Sequence, residues 1–281
     1  GGPVDITARL VARRLTERLG QPVLVENRSG AGGSIAPTLV ARSAPDGHVL
    51  LFMSKSSLLA KLVQAGAAPY DLLAELAPIT QTDSQETILV VNDRVPAHSL
   101  GELVALARAQ PGKLSYASNG VGSGNHLNME LFKAAAQIDM VHVPYKGQAP
   151  AMADLSAGRI DATTLGMALA TQLVKGGQLR ALAITGPRRS KLLPALPTFG
   201  EQGIAGLENG SWKGFLAPYG TPGRIIASLQ AEILDIMNSP DVTRLLEGGE
   251  EVVGSSPEAF REFLQREQAL WRGVIRRLGL H

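Results

Sequence analysis

The stretch Ser118-Asn-Gly-Val-Gly-Ser-Gly-Asn125 decides how the chain is read. It follows a strand-like run, Lys113–Ser118, and precedes a helical stretch, His126–Ala136. A strand that turns through glycines into a helix is the building unit of a parallel α/β sheet. In such sheets ligands bind beyond the carboxyl ends of the strands, at the strand-to-helix loops. The first N–H groups of a helix are free and lie at its positive end, which makes a ready anion site. Glycine lets a ligand approach the main chain closely. The same stretch also reads as an ordinary tight turn, with Ser123 and Asn125 as helix caps. Four small residues in a row from Gly122 to Asn125 exceed what a turn needs, which favours ligand binding.

The same alternation runs outward in both directions. Asp5–Leu19 has helical apolar spacing and stops at Gly20. Val23–Val25 and Val49–Met53 read as strands on either side of a helix, Ile35–Ala44. Ile88–Val91, Met140–Val143, Arg159–Thr163 and Leu179–Thr185 read as further strands separated by helical stretches. Ser99 with Glu102 forms a capping box for a helix that Pro111-Gly112 stops. Thr221-Pro222, Ser239-Pro240 and Ser256-Pro257 each predict a cap followed by proline at the first helical position. Arg272, Arg276 and Arg277 end the last helix, where they suit its dipole better than they suit a binding patch. Two more loops resemble the first in kind. Met53-Ser-Lys-Ser-Ser57 carries three hydroxyls, and Ser54 or Ser56 serves equally well as a cap or a ligand contact. Gly1-Gly-Pro-Val-Asp5 is visible only from its helix side.

Composition narrows the function. The 281 residues suggest one or two domains, and 44% hydrophobic content supports a packed core. The net charge of +2 gives no basic face for nucleic acid. No cysteine is present, which removes disulfides, thiol nucleophiles and thiolate metal sites. No apolar run approaches a membrane span. The chain opens on Gly1-Gly2-Pro3 without an initiator Met or leader, so an upstream segment is expected to have been removed or left out. No phosphate-binding P-loop, His-Glu-x-x-His pair or Gly-x-Ser-x-Gly elbow occurs. Ile35 and Asn125 stand where the third glycine of a dinucleotide fingerprint belongs. Ser123 and His126 are the one pair that could enter a Ser/His/Asp arrangement, and their position suits capping better. No metal or cofactor is expected.

A resemblance then becomes specific. Gly1-Gly-Pro-Val-Asp-Ile-Thr-Ala-Arg9 resembles the start of the Bug (TctC-like) family, the periplasmic solute receptors of tripartite tricarboxylate transporters. Val25-Glu-Asn-Arg-Ser-Gly-Ala-Gly-Gly33, Ala44-Pro-Asp-Gly47 and Pro69-Tyr-Asp71 follow in order. So do Tyr116-Ala-Ser118 with Gly120–His126, His142-Val-Pro-Tyr-Lys-Gly147 with Ala149-Pro150, and Leu179–Ala183. Leu196-Pro-Thr198 and Trp212-x-Gly214 with Ala217-Pro218 complete a set that spans nearly the whole chain.

The resemblance implies an α/β, two-lobed, type II periplasmic binding-protein fold, each lobe a mostly parallel sheet flanked by helices. It implies one lobe from residues 1–92 with 213–281 and a second from residues 93–212, with a first strand ahead of Gly1 missing. It implies that a small carboxylate sits between the lobes, held by main-chain amides and water. The positions that carry over are Gly2, Pro3, Val4 and Asp5 in one loop and Ser54, Lys55, Ser56 and Ser57 in a second. The other lobe gives Ser118, Gly120, Gly122, Ser123, Asn125 and His126, with Tyr145 and Asp161 nearby. His126 and Tyr145 read more readily as structural, and Asp161 equally as a cap or a ligand-orienting group. After Asp161 the family usually continues with an aromatic and often a polar or acidic residue. Here Ala162-Thr-Thr-Leu-Gly166 follows, which favours a non-amino acid ligand such as a dicarboxylate or an aromatic acid. The expected partners are a small organic acid and membrane transporter subunits or a sensor, with the receptor a periplasmic monomer. An enzyme on a small organic acid, or the effector domain of a regulator, are the alternatives.

Overall fold

The computed structural model describes residues 3–28, 35–65, 71–208, 210–246 and 249–280. The chain folds into two compact units. Unit 1 holds residues 1–84 and 211–281, and unit 2 holds residues 85–210. Along the chain, unit 1 begins with α1 (Pro3–Leu19), α2 (Ile35–Ala41), β1 (Leu51–Ser54), α3 (Lys55–Ala65) and α4 (Leu72–Glu75). The strand β2 (Leu76–Gln85) leads to unit 2, which starts with β3 (Thr87–Asn92). Then come α5 (Leu100–Ala109), β4 (Ser115–Ser118), α6 (Gly124–Ala136), β5 (Val141–Pro144) and α7 (Gln148–Ser156). Unit 2 ends with β6 (Ala162–Gly166), α8 (Met167–Lys175) and β7 (Leu179–Ile184). The chain returns to unit 1 as β8 (Ser211–Pro218), α9 (Gly223–Met237), α10 (Pro240–Leu246), β9 (Glu250–Val252) and α11 (Pro257–Arg277). Among the described residues, no helix is long and apolar enough to cross a membrane.

Unit 2 has a five-stranded sheet in the order β5-β4-β6-β3-β7. β4 pairs parallel with both β5 and β6, the geometry that strand-helix-strand crossovers produce. β3 runs antiparallel to β6 and β7. It therefore belongs to unit 2, whereas the resemblance implies a first lobe that runs to residue 92. A hydrophobic run marks a strand but not the sheet it joins. Ile88, Val90, Ala117, Leu155, Leu165 and Ile184 close the core beneath this sheet.

Unit 1 has a four-stranded sheet in the order β1-β8-β2-β9, with β1 antiparallel to β8. Val11 and Leu15 of α1 pack with Ile233 and Ile236 of α9 over Phe215 and Ala217. Gly214 of β8 lies opposite Met53. A Cβ at Gly214 would meet Phe260 Cζ at 2.4 Å and the Thr80 carbonyl at 2.8 Å, so α11 can seat only on glycine there. Residues 22–28 form no regular element, and no strand pairs with them among the described residues. The Val23 N–H goes to Thr16 Oγ1 (2.9 Å), and Leu24 is 87% exposed. An apolar trough of about 1060 Å³ lies between this segment, β1 and α1, lined by Val11, Leu15, Val23, Val25, Leu51 and Phe52.

Several helix ends follow their sequence signals. Ser99 Oγ accepts the Glu102 N–H at 3.2 Å, and Ser256 Oγ accepts the Ala259 N–H at 3.1 Å. At α9 the cap moves by one residue. The Thr221 hydroxyl donates to the Pro218 carbonyl (2.8 Å), which leaves Pro222 at the cap position. The strand expected at Arg159–Thr163 starts at Ala162, because Arg159 turns out to pair with Asp154 on α7.

Candidate functional site

In unit 2 the carboxyl end of β4 runs into α6 through Asn119–Ser123. Gly120 and Gly122 take φ values of +119° and +79°, which side chains with a Cβ rarely adopt. Ser118 Oγ accepts the Gly120 N–H (3.1 Å) and lies 3.1 Å from the Gly120 carbonyl and 2.6 Å from His142 Nε2. Ser123 sits at the helix cap but makes no capping bond. Its hydroxyl turns back to the Gly120 carbonyl (2.6 Å) and to Asn125 Oδ1 (2.8 Å), which also accepts the Asn119 N–H (3.2 Å). The first helical bond is Leu127 N to Ser123 O (3.0 Å), so the amides of Gly124, Asn125 and His126 precede the ladder. The loop's polar side chains are thus spent on shaping the main chain, and the amides at the helix start remain for an anion.

His126 and Tyr145 serve the same loop. The Gly122 N–H donates to His126 Nδ1 at 3.0 Å. The Tyr145 N–H donates to the Ser118 carbonyl (2.9 Å), while its hydroxyl turns away to Asp154 Oδ2 (2.6 Å). Burial, with Asp154 as acceptor, pushes the phenol up to about 12. Asp161 does not join them. Its Oδ2 accepts from Ser115 N (2.7 Å) and Ser115 Oγ (2.8 Å) at the opposite end of β4 from Ser118. The residues after Asp161 are buried in β6, at the centre of the sheet, and do not line a solvent-facing loop. Their composition therefore says nothing about an ammonium partner, and that argument for a non-amino ligand falls away. Because β4 and β6 are parallel, the junction that does share the Ser118 edge is Gly166-Met167, the start of α8, which the sequence did not single out.

Unit 1 presents helix starts in a similar way. Gly2 lies outside the described residues. Pro3, Val4 and Asp5 open α1. The Asp5 carboxylate accepts from Arg9 Nε (3.1 Å) and Asn27 Nδ2 (2.7 Å), and these bonds hold it below the usual carboxylate range. Ser54 ends β1, and α3 starts at Lys55 with Ser56 exposed and Ser57 half-buried. Ser54 lies opposite Lys213 of β8, and Lys213 Nζ is 3.4 Å from Thr7 Oγ1 of α1. That contact sets the first turns of α1 beside the start of α3. Lys213 also pairs with Glu250 (2.7 Å) and Asp83 (3.2 Å). Burial raises the Asp83 carboxyl to about 6, although Lys213 opposes it. Lys55 turns inward, with its ammonium 4.4 Å from the Trp271 ring centre. Burial lowers it to about 8 against the attraction of Glu267. Thr7 and Lys213 stand at variable positions of the motifs Gly1–Arg9 and Trp212–Gly214. Only folding reveals their place.

Among the described residues, no group of three His, Asp or Glu could hold a metal ion. The family of tripartite tricarboxylate transporter receptors, TctC, matches residues 7–280. The chain belongs to the TctC receptor family. It is similar to the protein BugT of Bordetella pertussis, 37% identical over 281 residues that span 99% of this chain and 86% of BugT. It is similar to the solved structure of MatC from Rhodopseudomonas palustris with bound malate, at 30% identity and a TM-score of 0.78. That match covers 98% of this chain and 95% of MatC. A second R. palustris structure, with adipate, is 33% identical with a TM-score of 0.76, over 98% of this chain and 92% of that one. TctC receptors are periplasmic solute-binding proteins and not enzymes. Ser123 Oγ bonds the Gly120 carbonyl and Asn125 Oδ1.

Proposed function

We propose that this TctC-family receptor captures a small di- or tricarboxylate, an aromatic acid or a related organic acid in the periplasm. It delivers that acid, as a monomer, to a tripartite tricarboxylate-type transporter. The observation that carries this reading is the β4–α6 junction, where Ser118, Ser123, Asn125 and His126 spend their polar atoms on holding Gly120 and Gly122 open. Helix-start amides bind a carboxylate without a lysine or arginine partner. The starts of α1 and α3 in unit 1, at Val4, Asp5 and Ser54–Ser57, present a similar set of helix-start amides. The similar structures with malate and adipate support this ligand class. Calorimetry on protein stripped of ligand by unfolding and refolding tests it. One molecule of malate, adipate, citrate or benzoate should bind per chain without turnover. Gly122→Ala should weaken binding about tenfold by straining a left-handed position. Failure of every acid to bind would sink the reading.

A further inference from the structure

His126 and His142 come from α6 and β5, and their rings stack with centres 4.0 Å apart and planes 21° apart. His142 stacks in turn on Tyr116 of β4, at 4.9 Å and 15°. Each imidazole grips a different half of the same loop. His142 Nε2 lies 2.6 Å from the Ser118 hydroxyl, which bonds both main-chain atoms of Gly120. His126 Nδ1 accepts the Gly122 N–H at 3.0 Å. An acceptor nitrogen carries no proton, so His126 is the neutral Nε2–H tautomer. A proton on Nδ1 would face the Gly122 donor with a second donor and open the loop.

We propose that His126 and His142 act as a stacked, neutral pair of positioning residues that shapes the Ser118–Gly122 turn, and through it sets the Gly124–His126 amides for the bound carboxylate. This role rests on the reading of that loop as the ligand site. His142 has no part in the sequence-based site, and the two residues act through the main chain and not by touching the acid. The charged groups facing the pair are known from each packed element. α6 brings Glu130, which accepts from Tyr116 Oη (2.5 Å) and Lys133 Nζ (2.7 Å). β4 brings Tyr116, β5 brings His142 itself, and β6, with the sequence Ala-Thr-Thr-Leu-Gly, brings no titratable side chain. Two imidazolium ions stacked this closely would repel each other. Burial, the partner ring and Lys133 hold His126 down at about 4 against the pull of Glu130, and burial lowers His142 as well.

The pairing has a chemical signature. An asparagine amide oxygen reaches where Nδ1 stands, whereas phenylalanine keeps the stack and loses the acceptor. Full-length wild type, His126→Phe, His126→Asn, His142→Phe and His142→Gln are compared by calorimetry with malate and adipate as probes. The ligand-free proteins are followed by NMR of the Gly122 amide and the imidazole nitrogens against pH. Expected are an Nε2–H tautomer at neutral pH and a Gly122 amide that shifts on acidification in wild type but not in His126→Asn. Both phenylalanine variants should bind about tenfold more weakly, with Asn at 126 and Gln at 142 restoring affinity. A protonated Nδ1 at neutral pH, or wild-type affinity and an unmoved Gly122 amide in His126→Phe, overturns the proposal. If wild type binds none of malate, adipate, citrate and benzoate, the carboxylate reading fails, and the Gly122 titration still decides whether the histidines set the loop. Thermal melting separates an unfolded variant from a mispositioned loop, and the Asn and Gln variants carry the test if a Phe variant does not fold.

Discussion

The two units present helix starts, with α3 and α6 each following the carboxyl end of a strand, but back them with opposite electrostatics. Behind α1 and α3 in unit 1 lie buried ions, Lys213 with Asp83 and Glu250, and Lys55 over Trp271. Behind α6 in unit 2 lies a neutral stack of Tyr116, His142 and His126. An ion cluster must stay complete, because a charge stranded in the interior costs several kcal/mol. A neutral stack must stay neutral, because its hydrogen bonds depend on one tautomer. The same task therefore gives the units different points of failure and different responses to acid.

The largest effect should come from breaking the ion side of the comparison. Glu267 is fully buried and accepts from Trp212 Nε1 (2.8 Å) and Trp271 Nε1 (3.2 Å) while it attracts Lys55. Glu267→Ala should destabilise the protein by about 3–5 kcal/mol in urea denaturation. Hydrogen exchange should rise in unit 1 before it rises in β3 and β6.

The next effect sharpens the comparison by sign. Asp83 at about 6 lies above its unfolded value, so the folded protein binds the extra proton between about pH 4 and 6. Its burial lowers stability as pH rises through that window. His126 at about 4 lies below its unfolded value, so the unfolded chain binds the extra proton between about pH 4 and 6.5. Its contribution is complete above that window and is lost as pH falls through it. Each swing is on the order of 2–3 kcal/mol. Melting curves from pH 4 to 7 should tilt one way in Asp83→Asn and the other way in His126→Asn. Matching tilts would remove the distinction between the units.

A smaller effect tests placement within unit 2. Asp161→Ala leaves the Ser115 N–H and hydroxyl without their acceptor and should cost about 1–2 kcal/mol. Acid affinity should not change, because Asp161 lies at the far end of β4. A loss of affinity at full stability would return Asp161 to the site. The smallest effect, about 1 kcal/mol, is expected for Ser99→Ala, which deletes a surface cap equally remote from the ligand loop. Chemical denaturation should detect it without any change in binding.

These residues also show what the sequence could reveal. The β4–α6 loop was legible because Gly120 and Gly122 mark backbone that only glycine adopts readily, and Ser99 and Ser256 because caps are local. β2 was missed. Its Thr80, Gln81, Thr82 and Asp83 look like loop residues, yet they are buried with partners far along the chain, such as Ser255 and Lys213. Val23–Val25 has strand composition but no ladder partner among the described residues. Asp161 was drawn toward the site by motif proximity, but it precedes β6, and the parallel pairing of β4 and β6 puts that end away from Ser118. His142 and Lys213 act only through tertiary neighbours, which no local pattern encodes.

Gly214 carries a genetic consequence. Every missense change available to a glycine codon adds a Cβ, and at this position that atom would collide with Phe260 and the Thr80 carbonyl together. A side chain such as Phe260 can swing aside, but the carbonyl of a neighbouring strand cannot. Codon 214 should therefore behave as a null allele under any amino-acid replacement, while codons for the open-sided Gly223 and Gly273 on the same unit should drift.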